Sequence, residues 1–324
     1  MCFLAKNLNI QEGILQIKKL KPILLMLFIG LSGQLHCSAA DAENPSVPVN
    51  PEYRQELGHV VTIKEDELPW ELDTYARYMP YQGADAQSGK VAIVDSASEL
   101  SYDAKLFGEL PVEFAIGSRY IGIDNTTSVN LPSRLTQISF GAETILPFFF
   151  DKTYFAVGLA PSFYSDNWNI NSSSFRIPQR YFFIYQANQK LAFICGVEVI
   201  PDFEDTVSPI LGFIYKPNDR LAFNITPSKP EITYGLSDRL TLLLEADMSC
   251  DEFEVNKDNL KNVVLEYNEM HLGTGVKYQV NKNIQSSISG GFIFNRSIKY
   301  KDDDLGKVSL KNGLYTELRV NISI

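Results

Sequence analysis

From about Val112 to the last residue the sequence alternates with a period of 2, the pattern of strands whose two faces meet different surroundings. Thr136, Ile138, Phe140, Ala142, Thr144 and Leu146 are mostly apolar, and Gln137, Ser139, Gly141 and Glu143 between them are polar or small. Phe155, Val157, Leu159, Pro161 and Phe163 alternate with Tyr154, Ala156, Gly158, Ala160 and Ser162, and Leu272, Val276, Tyr278 and Val280 with His271, Gly273, Gly275 and Lys277. Leu314, Thr316, Leu318, Val320, Ile322 and Ile324 do the same against Tyr315, Glu317, Arg319, Asn321 and Ser323. Twelve strands are expected, near 112–123, 135–148, 153–164, 176–187, 191–200, 208–216, 220–226, 230–237, 240–249, 262–280, 284–297 and 312–324.

The connections sort by parity. Ser165 to Phe175, Asp202 to Thr206, Pro227 to Lys229, Ser249 to Lys261 and Ser297 to Lys311 are mostly long and polar, with Pro227 to Lys229 the short exception, whereas Asn188-Gln189, Pro217 to Asp219, Ser237-Asp238 and Asn281 to Asn283 are tight. Short turns at one end and longer loops at the other are the signature of outer-membrane barrels, and an even strand number returns Ile324 to the turn end. If the apolar face meets lipid the sheet must close, because an open edge would leave N–H and C=O groups without partners in hydrocarbon. The expected fold is therefore all-β, an antiparallel transmembrane β-barrel of about twelve strands, with ten to fourteen admissible. A soluble sandwich or ligand-carrying barrel also alternates, but it does not sort its loops. Nor does it gather aromatic residues at strand ends, as do Phe148, Phe149, Phe150, Tyr215, Tyr234 and Tyr278 near turns and Phe163 and Tyr164 near a loop. Phe182, Ile184, Leu243 and Ile293 break the alternation and mark bulges or shifts of register.

The amino-terminal part is organised differently. The apolar run Ile23 to Leu31 is too short to cross a bilayer as a helix, which takes about 20 residues. Lys18, Lys19 and Lys21 precede it, and Ser38, Ala39, Ala40 and Ala42 supply small residues after it, so 1–40 reads as a secretory signal peptide. Residues 41–89 are rich in acidic residues, carry five prolines (Pro45, Pro48, Pro51, Pro69 and Pro80) and show no sustained period; they read as an irregular acidic tether before a barrel at 90–324. Without the signal peptide Cys195 and Cys250 remain, at different heights of the barrel, and no disulfide is expected. The net charge of -10 offers no basic footprint for nucleic acid.

The stretch Pro209, Gly212, Tyr215, Pro217, Pro227, Pro230 and Tyr234, followed by the strand from Leu240 to Asp247, resembles the central part of a family of uncharacterised bacterial outer-membrane β-barrel proteins known only as a domain of unknown function. The resemblance covers roughly Ser101 to Ile324, implies residence in the bacterial outer membrane, and brings no active site with it. The last strand resembles the carboxy-terminal assembly signal of such barrels through Tyr315, Leu318, Val320, Ile322 and Ile324, with Ile324 where Phe is usual. That likeness implies outer-membrane lipid and the barrel-insertion machinery as partners.

The polar face supplies the candidate lumen lining: Glu113, Arg119, Glu143, Arg180, Glu198, Glu231, Glu245, Glu269, His271, Lys277, Glu317 and Arg319. Charges of both signs with no long run of one sign suit a weakly selective passage rather than a ring of one charge. Catalysis needs a nucleophile, a base and an orienting group in contact. Only His271, beside Glu269 and across from Ser287 and Ser289, offers such a set; His59 lies in the tether. No His/Cys cluster suits a metal and no cofactor is implied, although Asp302, Asp303, Asp304 and the acidic group Asp251, Glu252, Glu254 offer oxygen ligands for weak divalent binding. The sequence thus points to a narrow channel for small solutes or to a structural or surface-display barrel, with a barrel-embedded hydrolase as a third reading.

Overall fold

The computed structural model describes residues 69–324 except 86–87, 107–109, 149, 151, 168–171, 202–206, 227–228, 257–262 and 303–304. The expected signal peptide, residues 41–68 of the expected tether and His59 lie outside the described residues. The chain forms β1 (Trp70–Gly83), β2 (Lys90–Leu106), β3 (Leu110–Asn125), β4 (Arg134–Pro147), β5 (Thr153–Leu159), β6 (Ser162–Ser165), β7 (Phe175–Arg176), β8 (Gln179–Asn188) and β9 (Leu191–Val199). It continues with β10 (Val207–Asn218), β11 (Leu221–Ile225), β12 (Glu231–Gly235), β13 (Leu240–Val255), β14 (Val263–Asn281), β15 (Ile284–Tyr300), β16 (Lys307–Leu310) and β17 (Gly313–Ser323).

Three staves of the wall are interrupted, β5 with β6, β7 with β8 and β16 with β17, so the segments make 14 antiparallel staves. Pairing of β1 with β17, from Glu71↔Ser323 to Tyr78↔Thr316, closes the barrel. The tight turns share one end, and there Trp70 and Ile324 exchange both backbone hydrogen bonds, N to O at 3.3 and 2.8 Å. The turns are written into the sequence: the Asn188, Asn218 and Asn281 carboxamide oxygens each accept from the backbone N–H two residues on, at 2.8, 3.0 and 2.8 Å. This Asx turn reverses the chain locally without tertiary help.

The 14 staves lie within the expected ten to fourteen; β1 and β2 are the two that the twelve expected spans lack, and they shorten the expected tether. Trp70–Gly83, read as irregular, is a wall strand. The middle of its outer face (Thr74, Ala76) and that of β2 (Ser96, Ser98) are small or polar, so the hydrophobic alternation that marks the other staves is interrupted there.

Outward positions carry the large exposed apolar side chains, among them Ile116, Phe140, Leu159, Phe193, Leu211, Leu272, Ile288 and Leu318. An apolar belt around a closed sheet is far larger than the patches soluble monomers tolerate. Aromatic pairs flank it near the turn end: Trp70 with Tyr102, centroids 4.5 Å apart, and Phe155 with Phe183 at 4.9 Å. Higher on β14 and β15 the outer face turns polar at Glu266 and Lys299, which share one ladder row, so these long staves project beyond the hydrocarbon. The chain is an outer-membrane β-barrel.

On the side of β13–β16 and β1–β4 the interior of the loop end is an apolar core. Met79, Val91, Ile93, Ile121, Leu135, Tyr164, Phe253, Tyr267, Ile293, Ile298, Tyr300, Val308 and Leu310 form one buried cluster contributed by staves facing each other. Tyr164, expected in the outer aromatic girdle, points inward and meets the Phe253 ring edge-on at 5.8 Å. Above it the wall pinches. Ser165 of β6 bridges Glu254 of β13, and the Asp166 N–H donates to the Glu254 carbonyl at 3.0 Å, although these staves are not neighbours in the barrel. The β3–β4 loop folds over the top, with Leu131 buried and Asn130 O accepting from the Tyr300 hydroxyl at 2.6 Å.

Candidate functional site

Contacts between staves that are not neighbours can only cross the interior, and they identify the inward face. Arg119 on β3 reaches Asp251 on β13 (2.7 Å), Arg77 on β1 reaches Asp247 on β13 (2.9 Å), and Lys277 on β14 reaches Glu231 on β12 (2.5 Å). All twelve residues expected from the polar face stand on the side opposite the apolar belt. They fall into groups that the sequence did not reveal.

The first group lies directly beneath the apolar core. Arg77 donates from Nε to Glu317 (2.8 Å) and from Nη2 to Asp247 (2.9 Å), and its Nη1 stands 3.2 Å from His271 Nδ1. His271 Nε2 lies 3.2 Å from Glu269, which also faces Arg296 Nε at 3.6 Å. Arg319 continues the chain to Glu317 (3.3 Å) and Asp73 (3.0 Å). Arg296 is aimed inward by a bulge: Asn268 pairs with Ser297 and Met270 with Phe294, so two residues oppose Glu269, and Asn295 takes a left-handed φ of 56°. The Tyr315 ring meets His271 edge-on at 5.1 Å, so this member of the expected carboxy-terminal signal faces inward, while Leu318, Val320, Ile322 and Ile324 follow the outer parity.

The second group is centred on Arg119, which grips the fully buried Asp95 through Nε (3.0 Å) and Nη2 (2.9 Å) while Nη1 spans the lumen to Asp251. Asp251, with Glu252 and Glu254, was expected in a loop as a cation ligand. These residues belong to β13, Asp251 pairs with Arg119, and Glu252 pairs with Lys301 at 2.8 Å. Asp303 and Asp304 of the other acidic run lie outside the described residues. Among the described residues no group of three His, Cys, Asp or Glu is placed to hold a metal.

A third group, lower on the wall, joins Glu245 to the Ser289 hydroxyl (2.6 Å) and to Lys229 (3.3 Å). The imagined Ser-His-Glu set is therefore divided: Ser289 donates to Glu245, and His271 is engaged by Arg77 and Glu269. The fourth group is a row across neighbouring staves, Glu113↔Glu143, Glu143↔Gly158, Gly158↔Arg180 and Arg180↔Glu198, in which Arg180 Nε donates to Glu198 at 2.9 Å.

The four apolar residues that break the alternation face inward in regular register. Phe182 and Ile184 join Ile145, Ala156 and Ala192, Phe182 also packs on Ile194 and Ile214, and Leu243 and Ile293 are buried. At the loop end Asp166 accepts from Asn256 N (3.2 Å), and burial raises its carboxyl above the ordinary value against the pull of that N–H. Arg77, Asp95 and Arg296 went unnoticed in the sequence because a single charged residue in an alternating strand looks the same whether it faces water or a buried partner.

A family model described as a domain of unknown function (DUF6268) matches residues 113–322. No curated protein matches. Among solved structures, the COG4313 outer membrane channel from Pseudomonas putida F1 aligns at 9% identity and a TM-score of 0.46, covering 82% of this chain and 100% of that one. A TodX monoaromatic hydrocarbon channel mutant aligns at 9% and 0.42, covering 83% and 94%, and the NanC porin at 10% and 0.38, covering 78% and 100%.

Proposed function

The chain belongs to the DUF6268 family, and we propose that it is a narrow, weakly selective outer-membrane channel for small solutes, with part of its loop end filled by the apolar core. The observation that carries this reading is the division of the interior. Inward charged side chains away from the apolar core keep contact with water: Arg180 at 44% and Lys277 at 24% exposure. A barrel serving only as a membrane staple gains nothing from a hydrated, charged interior, since charges out of contact with apolar partners add little to its stability. The mixed signs of those charges argue for weak selectivity.

The competing reading is a structural or surface-display barrel. It draws on the filled ring of the loop end and on the projecting staves, whose outer faces carry Glu266 and Lys299. Reconstitution into planar bilayers separates the two. Discrete conductance steps from folded, heat-modifiable protein support the channel; a folded protein that stays silent across voltage and salt supports the structural reading.

A further inference from the structure

The bridge between Ser165 and Glu254 joins two staves that are not neighbours, and it therefore divides the loop end into two rings. One ring is built from β13, β14, β15, β16, β1, β2, β3, β4 and β6. It is filled across its width by the apolar core, and the β3–β4 loop lies over it. A ring of about this size has an interior that side chains can fill. The other ring is closed by β8, β9, β10, β11 and β12, and its apolar residues behave differently. The clusters around Ile184 and around Ile194 unite only successive staves, so they coat the wall rather than span it. At its loop end stands the row Glu143, Gly158, Arg180 and Glu198, with Arg180 the most exposed of the inward charges in an ion pair.

We propose that solutes enter through this second ring, off the barrel axis, and that Arg180, Glu198 and Glu143 set a mild preference for small cations. The inference rests on the channel reading above. The row carries three carboxylates, Glu113, Glu143 and Glu198, against the one guanidinium of Arg180. Arg180 is drawn to Glu198 by a hydrogen bond of 2.9 Å, so its own charge is largely compensated toward a passing ion. Gly158 lets the third group take part: a Cβ there would sit 2.9 Å from Glu143 Oε2, so the carboxylate lies across β5 on the path to Arg180. A charge at a hydrated constriction acts on the permeating ion directly, whereas the charges under the apolar core are buried against one another.

Single-channel recording under a KCl gradient tests this with the full chain in planar bilayers. Arg180→Gln is expected to raise the potassium-to-chloride permeability ratio by about twofold or more, and Glu198→Gln to lower it below the wild-type value. Glu143→Gln should also lower it, and Gly158→Leu, which fills the row, should reduce conductance. Heat-modifiability on gels reports that each variant is folded, and the exposed Arg180 and the half-buried Glu198 tolerate neutralisation. Conducting wild-type protein whose ratio is unmoved by Arg180→Gln and Glu198→Gln overturns the off-axis entrance and leaves the channel reading standing. A change in conductance on Ile121→Ala in the filled ring, with none at Arg180 or Glu198, places the path through the other ring and overturns it as well. Silence of the wild type under every condition is the separate failure of the channel reading itself.

Discussion

Arg119→Met tests whether the interior charges hold the barrel together across its width. The guanidinium contributes two hydrogen bonds to Asp95, whose side chain has no exposure at all, and one to Asp251 on the far side of the lumen. Removing it leaves a buried carboxylate without its cation, a change that costs about 3–5 kcal/mol. Asp251 keeps 26% exposure and is rescued in part by water, and the Tyr75 hydroxyl still reaches Asp95 at 3.3 Å. The expected loss is therefore at the lower end, about 3 kcal/mol. In the triple variant Arg119→Met, Asp95→Asn, Asp251→Asn no charge is stranded, and most of the loss should return. Urea unfolding of the protein folded into lipid vesicles, read by tryptophan fluorescence, measures both. A single variant that loses less than about 1 kcal/mol, the range of an exposed pair, or a triple variant less stable than the single one, refutes a buried strut across the lumen.

Leu159→Arg, on the lipid face, should cost about 2–4 kcal/mol or block insertion, whereas Gln137→Arg on the inner face is tolerated; equal effects in a vesicle-folding assay would mean that the faces are exchanged. Phe253→Ala removes a ring from the core of the filled ring and should destabilise by about 3–5 kcal/mol, read as a shift of the urea midpoint; a neutral result would show that the facing staves do not pack. Asp166→Asn should raise stability at neutral pH. Because burial raises the folded carboxyl above its ordinary value, its favourable contribution is present below the unfolded pKa of about 3.9 and is lost as pH rises through the folded value. The advantage of Asn should therefore vanish in acid, and an advantage that persists at low pH contradicts the assignment.

Much of the barrel was legible because its outer face has one solvent. Lipid demands apolar side chains at alternate positions, so β4, β14 and β17 declare themselves, and the Asx residues at Asn188, Asn218 and Asn281 declare the turns. β1 and β2 stayed hidden where Thr74, Ala76, Ser96 and Ser98 replace the expected apolar residues, which a stave tolerates when its neighbours keep the belt continuous. The inner face obeys no such rule. Phe182, Ile184, Leu243 and Ile293 looked like errors of register because an inward residue was expected to be polar, yet an inward residue meets whatever the facing stave presents.

That difference explains why the candidate site was readable as a set of residues and unreadable as an arrangement. Alternation places Arg119 and Arg180 on the same face with equal force, but one is locked between Asp95 and Asp251 and the other stands half in water beside Glu198. What separates them is the bridge from Ser165 to Glu254, a contact between segments 89 residues apart in the chain that no local pattern encodes. A ring of 14 staves is wider than side chains can fill, since filling is typical near eight strands and open channels near sixteen. Pinching it leaves one ring narrow enough to become a core and a remainder that keeps its hydrated charges. The same pinch therefore supplies cohesion at the loop end and confines any passage to the side where Arg180 stands.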